Sequence, residues 1–297
     1  MERAVNGVSV IIPTVGRPEL RNALESVRNQ SMQCAETIVV LDRPDAEPAV
    51  REILLPSERL VVTPGAAGGG GARALGLSAS VGGYVAFLDD DDWWEPKKVE
   101  AQVTSMQSSG ATFSSTATYF DTARGVRILP EEELQPSESI ASYLVRRPRL
   151  RHGSGYIQTS SLMVRADLAK AVSWNPSLRK HQDWDFIVRC AEHPDFKYSF
   201  INVPLVHVVQ GSAGSVSKLA DWSTSSKWYD EHRHSLDRAA AGDFVLTQVI
   251  RGSLSGLDAR GLRHGVALLK GTRPHFAAIV VGLFGAVEGV QNRWGKK

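Results

Sequence analysis

Four consecutive aspartates, Asp89 to Asp92, are the residues of this chain best suited to chemistry. They follow the apolar run Tyr84 to Leu88, which indicates that a buried strand ends in concentrated negative charge. Two unit charges ~4 Å apart repel by about 4 kcal/mol at an effective dielectric constant of ~20, so such a cluster favours a cation. A divalent metal ion that holds a polyphosphate meets this need, because Mg²⁺ binds one or two carboxylates together with phosphate oxygens.

The spacing of the four aspartates divides them into two pairs. Side chains alternate in an extended backbone, so Asp89 and Asp91 should face the ligand while Asp90 and Asp92 face the other way. The alternative interpretation is that these carboxylates cap the helix expected after Pro96, because acidic turns often cap helices. The local pattern leaves both interpretations open.

A glycine run, Gly68 to Gly71, precedes Arg73. Glycines let a backbone approach a ligand closely, and an arginine supplies a fork of hydrogen-bond donors. The alternative is a flexible loop. Neither a P-loop nor a dinucleotide-binding glycine motif is present here, because no Gly-Lys-Ser/Thr and no G-x-G-x-x-G follows.

Two further segments contain histidine and carboxylates. Asp183 and Asp185 lie beside His181 at the start of an expected helix, where a carboxylate could act as a general base or simply cap the helix. His207 lies in an apolar strand, where a lone histidine is more often structural than a ligand.

Apolar runs at regular intervals predict the elements that position these residues. Strands are expected at 8–12, 37–41, 59–63, 84–88, 113–120 and 200–209, with helices from 18, at 72–80, at 97–106 and at 184–190. Strands that alternate with helices imply a mainly parallel sheet flanked by helices. Ligands of such sheets bind beyond the carboxyl ends of the strands, which here are Thr14, Asp42 and Asp89.

Composition limits the classes of function. The 297 residues, 42% of them hydrophobic, can bury one large α/β core with an appendage. The 34 basic and 32 acidic residues nearly cancel and form no long basic block, so no nucleic-acid partner is expected. Cys34 and Cys190 are far apart and lie among apolar neighbours, which favours a reducing compartment, and we expect a cytoplasmic protein without a signal peptide.

Five motifs, in this order and spacing, resemble those of the family 2 glycosyltransferases, which have the GT-A fold, over residues 5 to 210. The motifs are Val8 to Thr14, Leu24 to Gln30, Gly71-Ala72-Arg73, Ala86 to Trp93 with Pro96, and Gln182 to Asp185 with Arg189. The resemblance implies a GT-A (nucleotide-diphospho-sugar transferase) fold at residues 1–215. Beyond it the composition shifts to Ser, Gly and then charged helical segments, which predicts a mostly helical C-terminal extension at 216–297.

The resemblance also implies roles for single residues. The nucleotide-sugar donor is expected to contact Pro13, Thr14, Arg17, Asp42, Arg73, Asp89 and Asp90. Asp91 and His207 are expected to bind Mg²⁺ or Mn²⁺ at the diphosphate, and the loop Gly211 to Ser215 is expected to close over the donor. Asp183 falls on the position of the catalytic base that deprotonates an acceptor hydroxyl, so that the sugar configuration inverts.

The implied reaction transfers a sugar from a UDP- or dTDP-sugar to a hydroxyl of a saccharide, a lipid-linked saccharide or another acceptor, in the synthesis of envelope polysaccharide, glycolipid or another glycoconjugate. A sugar nucleotidyltransferase and a non-catalytic cation-binding module are the alternatives. The chain departs from the family pattern at Gly16, where Asn is frequent, at Arg43-Pro44, where the pattern has Asp-Gly-Ser, and at Gln182, where Glu is commoner. These departures bear on donor choice more than on the reaction class.

The tail contains an apolar stretch, residues 276–290, bracketed by Lys270, Arg273, Arg293, Lys296 and Lys297. Apolar residues flanked by bases are typical of a helix that lies on an anionic membrane, so peripheral membrane contact through 270–297 is one interpretation. The other is a helix packed against the catalytic domain or against a second copy in a homodimer. The run Phe276 to Gly285 is too short to cross a bilayer.

Overall fold

The computed structural model describes residues 7–122, 125–209 and 221–294. The chain divides into two compact units, one formed by Met1–Leu129 with Ile157–Gly214 and the other by Pro130–Tyr156 with Ser215–Lys297. The domain boundary expected after residue 215 lies outside the described residues. The second unit also contains residues 130–156, and two hydrogen bonds join them to the rest of it. Arg147 N donates to Asp243 Oδ2 at 2.6 Å, and Asp237 N donates to Ser142 Oγ at 2.9 Å.

Among the described residues, the first unit forms one nine-stranded sheet. Its strands are β1 (Val8–Thr14), β2 (Glu36–Leu41), β3 (Glu58–Val62), β4 (Tyr84–Phe87), β5 (Trp93–Trp94), β6 (Phe113–Thr122), β7 (Gly125–Leu129), β8 (Met163–Arg165) and β9 (Tyr198–Val209). The order across the sheet is β3-β2-β1-β4-β8-β6-β9-β5, with β7 paired to β6.

The first half of the sheet is entirely parallel, whereas the second half is mixed and includes one parallel pair, β6 with β9. Strands β1 to β4 pair in parallel as predicted, and this brings the carboxyl ends of β1, β2 and β4 to one edge. In the second half, β8 runs antiparallel to β4 and β6, and β5 runs antiparallel to β9, so the mainly parallel sheet expected from the sequence is mixed overall. Strands as short as β5 and β8 carry too few residues for a periodic pattern to indicate their pairing.

Twelve α-helices lie within the described residues. They are α1 (Leu20–Arg28), α2 (Glu47–Arg51), α3 (Gly68–Ala79), α4 (Lys98–Ser109), α5 (Ile140–Val145), α6 (Ala166–Val172), α7 (Gln182–Ala191), α8 (Trp222–His232), α9 (Arg238–Phe244), α10 (Arg251–Ser255), α11 (Ala259–Leu268) and α12 (Phe276–Trp294). A π-helical stretch, Val245–Ile250, joins α9 to α10. Of the helices in the described ranges, none is long and apolar enough to cross a bilayer.

The helix predicted at 72–80 begins at Gly68, so the glycines Gly68 to Gly71 form the first turn of α3 and the alternative of a flexible loop is wrong. Further along this helix, Gly76 lies against β1, where a Cβ atom at Gly76 would come within 2.5 Å of Ile11 Cγ2 and 3.0 Å of Val40 Cγ2. The absence of a side chain therefore lets α3 pack closely on the sheet, which places its first turn beside the strand ends.

Replacing Gly76 with alanine should destabilise the protein despite alanine's better helix propensity. Both neighbouring side chains belong to the fully buried core, and overpacking such a site costs about 1–3 kcal/mol. Urea unfolding should therefore show a free energy of unfolding lower by about that amount. The matched control is Ser78→Ala, at an exposed position of the same helix. A Gly76→Ala variant as stable as the wild type would contradict the close packing.

Candidate active site

The segment Asp89 to Asp92, named here the acidic turn, connects β4 to β5 at the sheet edge. Strand β4 ends at Phe87, and Asp92 N donates to Asp89 O at 3.1 Å, so the backbone turns within the four aspartates. The helix that follows, α4, has Lys97 at its N-cap and no capping side chain. The interpretation of these aspartates as a helix cap is therefore wrong.

Burial separates the four carboxylates into the two predicted pairs. Asp90 and Asp92 are only 5% and 2% exposed. The side chains of Asp89 and Asp91 remain 24% and 18% exposed. The outer pair is thus the one that an incoming ligand can reach.

The inner carboxylate of Asp92 is held by neutral donors. It accepts from Ser160 Oγ at 2.6 Å, from Gln158 Nε2 at 3.0 Å and from Val209 N at 3.2 Å. Ser160 Oγ also accepts from Asp89 N at 2.9 Å, so one hydroxyl bridges both ends of the acidic turn. Gln158 and Ser160 could not be predicted as part of the site from the sequence, because their polar segment carries no motif that links it to the aspartates.

The Trp94 ring and the buried amine of Lys98 support Ser160. Trp94 Nε1 donates to Ser160 O at 2.8 Å, and Lys98 Nζ lies 3.7 Å from the centroid of the Trp94 ring. Lys98 is fully buried, and burial lowers its pKa. The buried amine packs on the indole face of Trp94, and the Trp94 hydrogen bond in turn holds Ser160 in place.

Two arginines partly neutralise the acidic turn. Arg17 Nη1 lies 3.3 Å from Asp90 Oδ1 and 3.2 Å from Asp91 Oδ2. Arg73, itself buried, donates to Asp89 from Nη2, and its guanidinium carbon lies 5.0 Å from the Trp174 ring centroid. The positive charge that the aspartates require is therefore supplied in part by the chain itself.

Burial raises the pKa of Asp90 to about 6, although the hydrogen bond from Thr14 Oγ1 and the charge of Arg17 oppose the change. Burial likewise raises the pKa of Asp92, together with the charge of Asp89 and against the hydrogen bond from Ser160. Both inner carboxylates therefore destabilise the fold when they ionise.

Replacing Asp90 with asparagine should stabilise the protein above neutral pH. Protonated Asp90 contributes stability that is fully present below its ordinary pKa of 3.8 and is lost as the pH rises through about 6. That difference corresponds to about 3 kcal/mol, which already includes the opposing charge of Arg17 and is the upper limit of the gain. Urea unfolding without added metal should show a gain of about 1–2 kcal/mol at pH ~7.5 that shrinks at pH ~4.

The control for this variant is Asp45→Asn, which changes a carboxylate that is 79% exposed and paired with Arg43. Its stability should match that of the wild type at both pH values. A loss of stability in Asp90→Asn at pH ~7.5 would contradict the assigned burial cost.

The first loop follows β1. Thr14 Oγ1 donates to Asp90 Oδ2 at 2.6 Å and accepts from Gly16 N at 2.9 Å, while Pro13 is half-buried in the strand opposite Val40. Gly16 has φ of 80°, and a Cβ there would lie 2.8 Å from Ala46 Cβ. A side chain at this position would collide with Ala46, which explains why glycine replaces the asparagine that is frequent in the family pattern.

Asp42, at the end of β2, holds the start of α3. Its carboxylate accepts from Thr63 Oγ1, from Ala67 N at 2.9 Å and from Gly68 N at 2.7 Å. A negative charge at the positive end of a helix dipole is stabilising. The contact with a donor base that the resemblance implies for Asp42 stays a prediction, beside this structural role.

Asp183 lies in the first turn of α7, near Arg73 and Asp89. It is half-buried, and burial raises its pKa, while the charges of Arg73 and Asp89 lower and raise it respectively. Gln182 Oε1 accepts from Arg73 Nη1 at 3.4 Å, which ties the start of α7 to α3. Asp183 therefore lies close enough to Arg73 and Asp89 for their charges to change its pKa.

The other carboxylate of this segment, Asp185, has a different environment. It is 1% exposed and pairs with Arg189 Nη2 at 2.6 Å, and the same arginine donates to Val172 O. The N-cap position of α7 is His181, not either aspartate. Asp185 therefore contributes to packing, which leaves Asp183 as the carboxylate available for chemistry.

His207 is stacked between Trp93 and Tyr119, with ring centroids 4.7 and 4.5 Å away. Its Nε2 lies 2.8 Å from Glu95 Oε1, and its Nδ1 lies 3.9 Å from Asp121 Oδ2. Both ring nitrogens therefore face carboxylates outside the acidic turn, and metal binding by His207 stays a prediction. The loop Gly211 to Ser215, expected to close over the donor, lies outside the described residues.

Comparison with known proteins identifies the family. A family model described as glycosyl transferase family 2 matches residues 9–171. The chain belongs to this family. A similar protein is the amylovoran biosynthesis glycosyltransferase AmsB of Erwinia amylovora, which is 28% identical over 77% of this chain and 79% of that protein.

Solved structures confirm the fold of this family 2 glycosyltransferase. S. aureus TarS 1-349, crystallised with UDP-GlcNAc, superposes with a TM-score of 0.60 at 15% identity, over 97% of this chain and 92% of that one. The mannosyltransferase PcManGT of Pyrobaculum calidifontis, in complex with GDP-Man and Mn²⁺, gives a TM-score of 0.52 at 15% identity, over 98% and 88%. The GT-A fold predicted from the sequence is therefore confirmed. The predicted glycosyltransferase class is confirmed by the family model and the similar proteins.

The acidic turn of this family 2 glycosyltransferase suits a divalent cation. Asp89 and Asp91 offer partly exposed carboxylate oxygens, and Arg17, which is 3.2 Å from Asp91, shows that a positive charge is accommodated there. Mg²⁺ and Mn²⁺ favour carboxylate oxygens, and Mg²⁺ usually takes only one or two of them with waters and phosphate oxygens. The outer pair fits that demand, whereas the inner pair is committed to Thr14, Gln158 and Ser160.

Proposed function

We propose that this family 2 glycosyltransferase transfers a sugar from a UDP- or dTDP-sugar to an acceptor hydroxyl, with inversion and with a requirement for Mg²⁺ or Mn²⁺. The observation that carries the proposal is the meeting of Asp89, Arg73 and Asp183 at the carboxyl edge of the sheet. The reaction needs one group of residues to hold a diphosphate and another to remove a proton. The ion pair of Asp89 and Arg73 can serve the first need, and the partly buried carboxylate of Asp183 can serve the second.

The donor is expected to lie with its diphosphate at the outer side of the acidic turn. Asp89 and Asp91 would hold the metal, which when bound neutralises the charge that develops on the leaving nucleoside diphosphate. Arg17 and Arg73 neutralise part of the charge of the acidic turn, and guanidinium groups also bind phosphate oxygens well. Pro13, Thr14 and Asp42 line the first two strand ends, where the nucleoside is proposed to lie.

Asp183 is the proposed general base. The acceptor oxygen forms a bond to the anomeric carbon as the bond from that carbon to the phosphate oxygen breaks on the opposite face. The hydroxyl proton passes to the Asp183 carboxylate. Burial raises the pKa of Asp183, which makes it a stronger base than an exposed aspartate.

The acceptor class is proposed from the relatives. AmsB is named for the biosynthesis of amylovoran, and other similar proteins are named for succinoglycan and teichuronic acid biosynthesis. We therefore propose a role in the synthesis of a polysaccharide or another glycoconjugate of the cell envelope.

Donor hydrolysis without an acceptor tests this proposal. The wild-type chain is incubated with UDP-, dTDP- and GDP-sugars, with Mn²⁺ or with a chelator, and nucleoside diphosphate release is measured. Slow, metal-dependent release from a UDP- or dTDP-sugar is expected. Release that needs no metal would contradict the proposed metal requirement. Formation of pyrophosphate from a nucleoside triphosphate and a sugar 1-phosphate would contradict the reaction itself.

A further inference from the structure

Helix α12 packs through its small residues, whereas a helix at a protein surface ordinarily packs through its large apolar side chains. Its inner face consists of small residues, and a Cβ atom would lie 2.9 Å from Leu246 O if added at Gly282 and 2.5 Å from Leu254 O if added at Gly289. These contacts hold α12 close against the π-helical stretch and α10 within the second unit. Little of the helix's large apolar surface is used in this packing.

The outer face of α12 carries the large apolar side chains. They recur three and four residues apart, so they form one stripe along the helix. The members of this stripe, named here the outer stripe, are Phe276, Ile279, Leu283, Phe284, Val287 and Val290, which are 37–77% exposed. An ordinary surface helix buries such a stripe against the core, so its exposure indicates an interaction surface.

The charged residues around the outer stripe are almost all basic. Residues 259–297 contain seven Lys and Arg residues and a single acidic residue, Glu288, whereas the whole chain has a net charge of only +2. Glu288 is paired with Arg251, whose Nε lies 3.2 Å away. Arg273 and Arg293 are exposed near the two ends of the stripe. The surface therefore combines an apolar centre with basic ends.

We propose that the outer stripe of α12 docks on an anionic lipid surface, with the helix lying in the plane of the headgroups. An exposed apolar stripe with arginines at its ends is the pattern of an interfacial helix, and basic residues near anionic lipids add to its affinity. Self-association fits less well. Pairing two copies of the stripe by a two-fold axis would bring arginine ends together, whether the helices ran parallel or antiparallel.

Vesicle sedimentation tests this proposal on the full chain. The wild type should sediment with vesicles of phosphatidylcholine mixed with phosphatidylglycerol and much less with phosphatidylcholine alone. The double variant Leu283→Glu/Val287→Glu should bind the mixed vesicles roughly tenfold more weakly or worse, because it places two charges in the apolar contact. The matched control, Leu55→Glu/Val81→Glu, changes apolar residues that are 46% and 62% exposed elsewhere and should bind like the wild type.

A second variant tests the electrostatic part. Arg273→Gln/Arg293→Gln should also bind more weakly, and its binding should depend less on salt than that of the wild type. Thermal melting of each variant should match the wild type, because the altered side chains are exposed. Wild-type protein that stays in the supernatant, or glutamate variants that sediment unchanged, would overturn the proposal. A wild-type dimer, seen by light scattering, that the glutamates dissociate without any vesicle binding would assign the stripe to a second copy and overturn it too.

Discussion

Asp183→Asn is expected to lower turnover by ~10²–10⁴-fold while it leaves donor binding largely unchanged, because general base catalysis contributes about that factor. The variant keeps the size of the side chain and loses its capacity to accept the acceptor proton. The measurements are kcat at saturating donor and the dissociation constant of UDP by calorimetry. Because a base works only when deprotonated, the wild-type rate should rise with pH through the pKa of Asp183, which burial has raised.

The control for this variant is Asp195→Asn, the same change at a carboxylate whose side chain is 61% exposed. It should leave both turnover and UDP binding at their wild-type values. Near-normal turnover in Asp183→Asn would contradict its assignment as the base. Loss of UDP binding in that variant would instead indicate that Asp183 holds the donor.

Asp91→Asn is expected to raise the Mn²⁺ concentration for half-maximal activity by at least roughly tenfold and to lower activity by about 10²-fold or more at fixed metal. Asp91 is one of the two outer carboxylates. It pairs with Arg17 at 3.2 Å, and because its side chain is still 18% exposed, a ligand can reach it. The fold should tolerate the change, because the inner carboxylates make the buried hydrogen bonds. Donor hydrolysis over a Mn²⁺ titration provides the measurement.

Asp167→Asn serves as the matched control for the metal experiment. Asp167 is also paired with an arginine, Arg165 at 2.6 Å, but its side chain is 65% exposed and lies in the first turn of α6. Its Mn²⁺ dependence should equal that of the wild type. An unchanged Mn²⁺ dependence in Asp91→Asn would remove Asp91 from the metal site.

The first half of the fold could be predicted from the sequence because its signals are local. The runs at β1, β2 and β4 are continuous and apolar, each ends at a polar residue, and parallel pairing then brings Thr14, Asp42 and Asp89 to one edge. The helix α4 buries Val99, Val103 and Met106 at the predicted spacing. Local periodicity was therefore sufficient where an element is long and regular.

Other features depend on contacts between distant segments, which a local pattern does not encode. Gln158 and Ser160 approach the acidic turn from about 70 residues away in sequence. The first turn of α3 contains four glycines, which lower helix propensity, yet Asp42 stabilises that turn from β2. For α12 the sequence left membrane contact and packing against protein both open, because hydrophobicity alone does not indicate which face of a helix is buried.

The acidic turn is stabilised by the chain before any metal binds. Arg17 and Arg73 supply charge, and Ser160, Gln158 and Thr14 supply hydrogen bonds to the two inner carboxylates and to Asp89. The outer carboxylates are thereby held in place at the sheet edge with oxygens still partly exposed. Such preorganisation lowers the cost of ordering a site when its ligand binds.

Calorimetric titration of UDP, with Mn²⁺ and with a chelator, tests the central claim most directly, namely that the acidic turn is the diphosphate and metal end of a donor site. The wild type should bind UDP with Mn²⁺ and far more weakly with the chelator. Asp183→Asn should retain this metal-dependent binding, and Asp91→Asn should lose it. Equal binding of UDP by the wild type and Asp91→Asn at every Mn²⁺ concentration would contradict the claim.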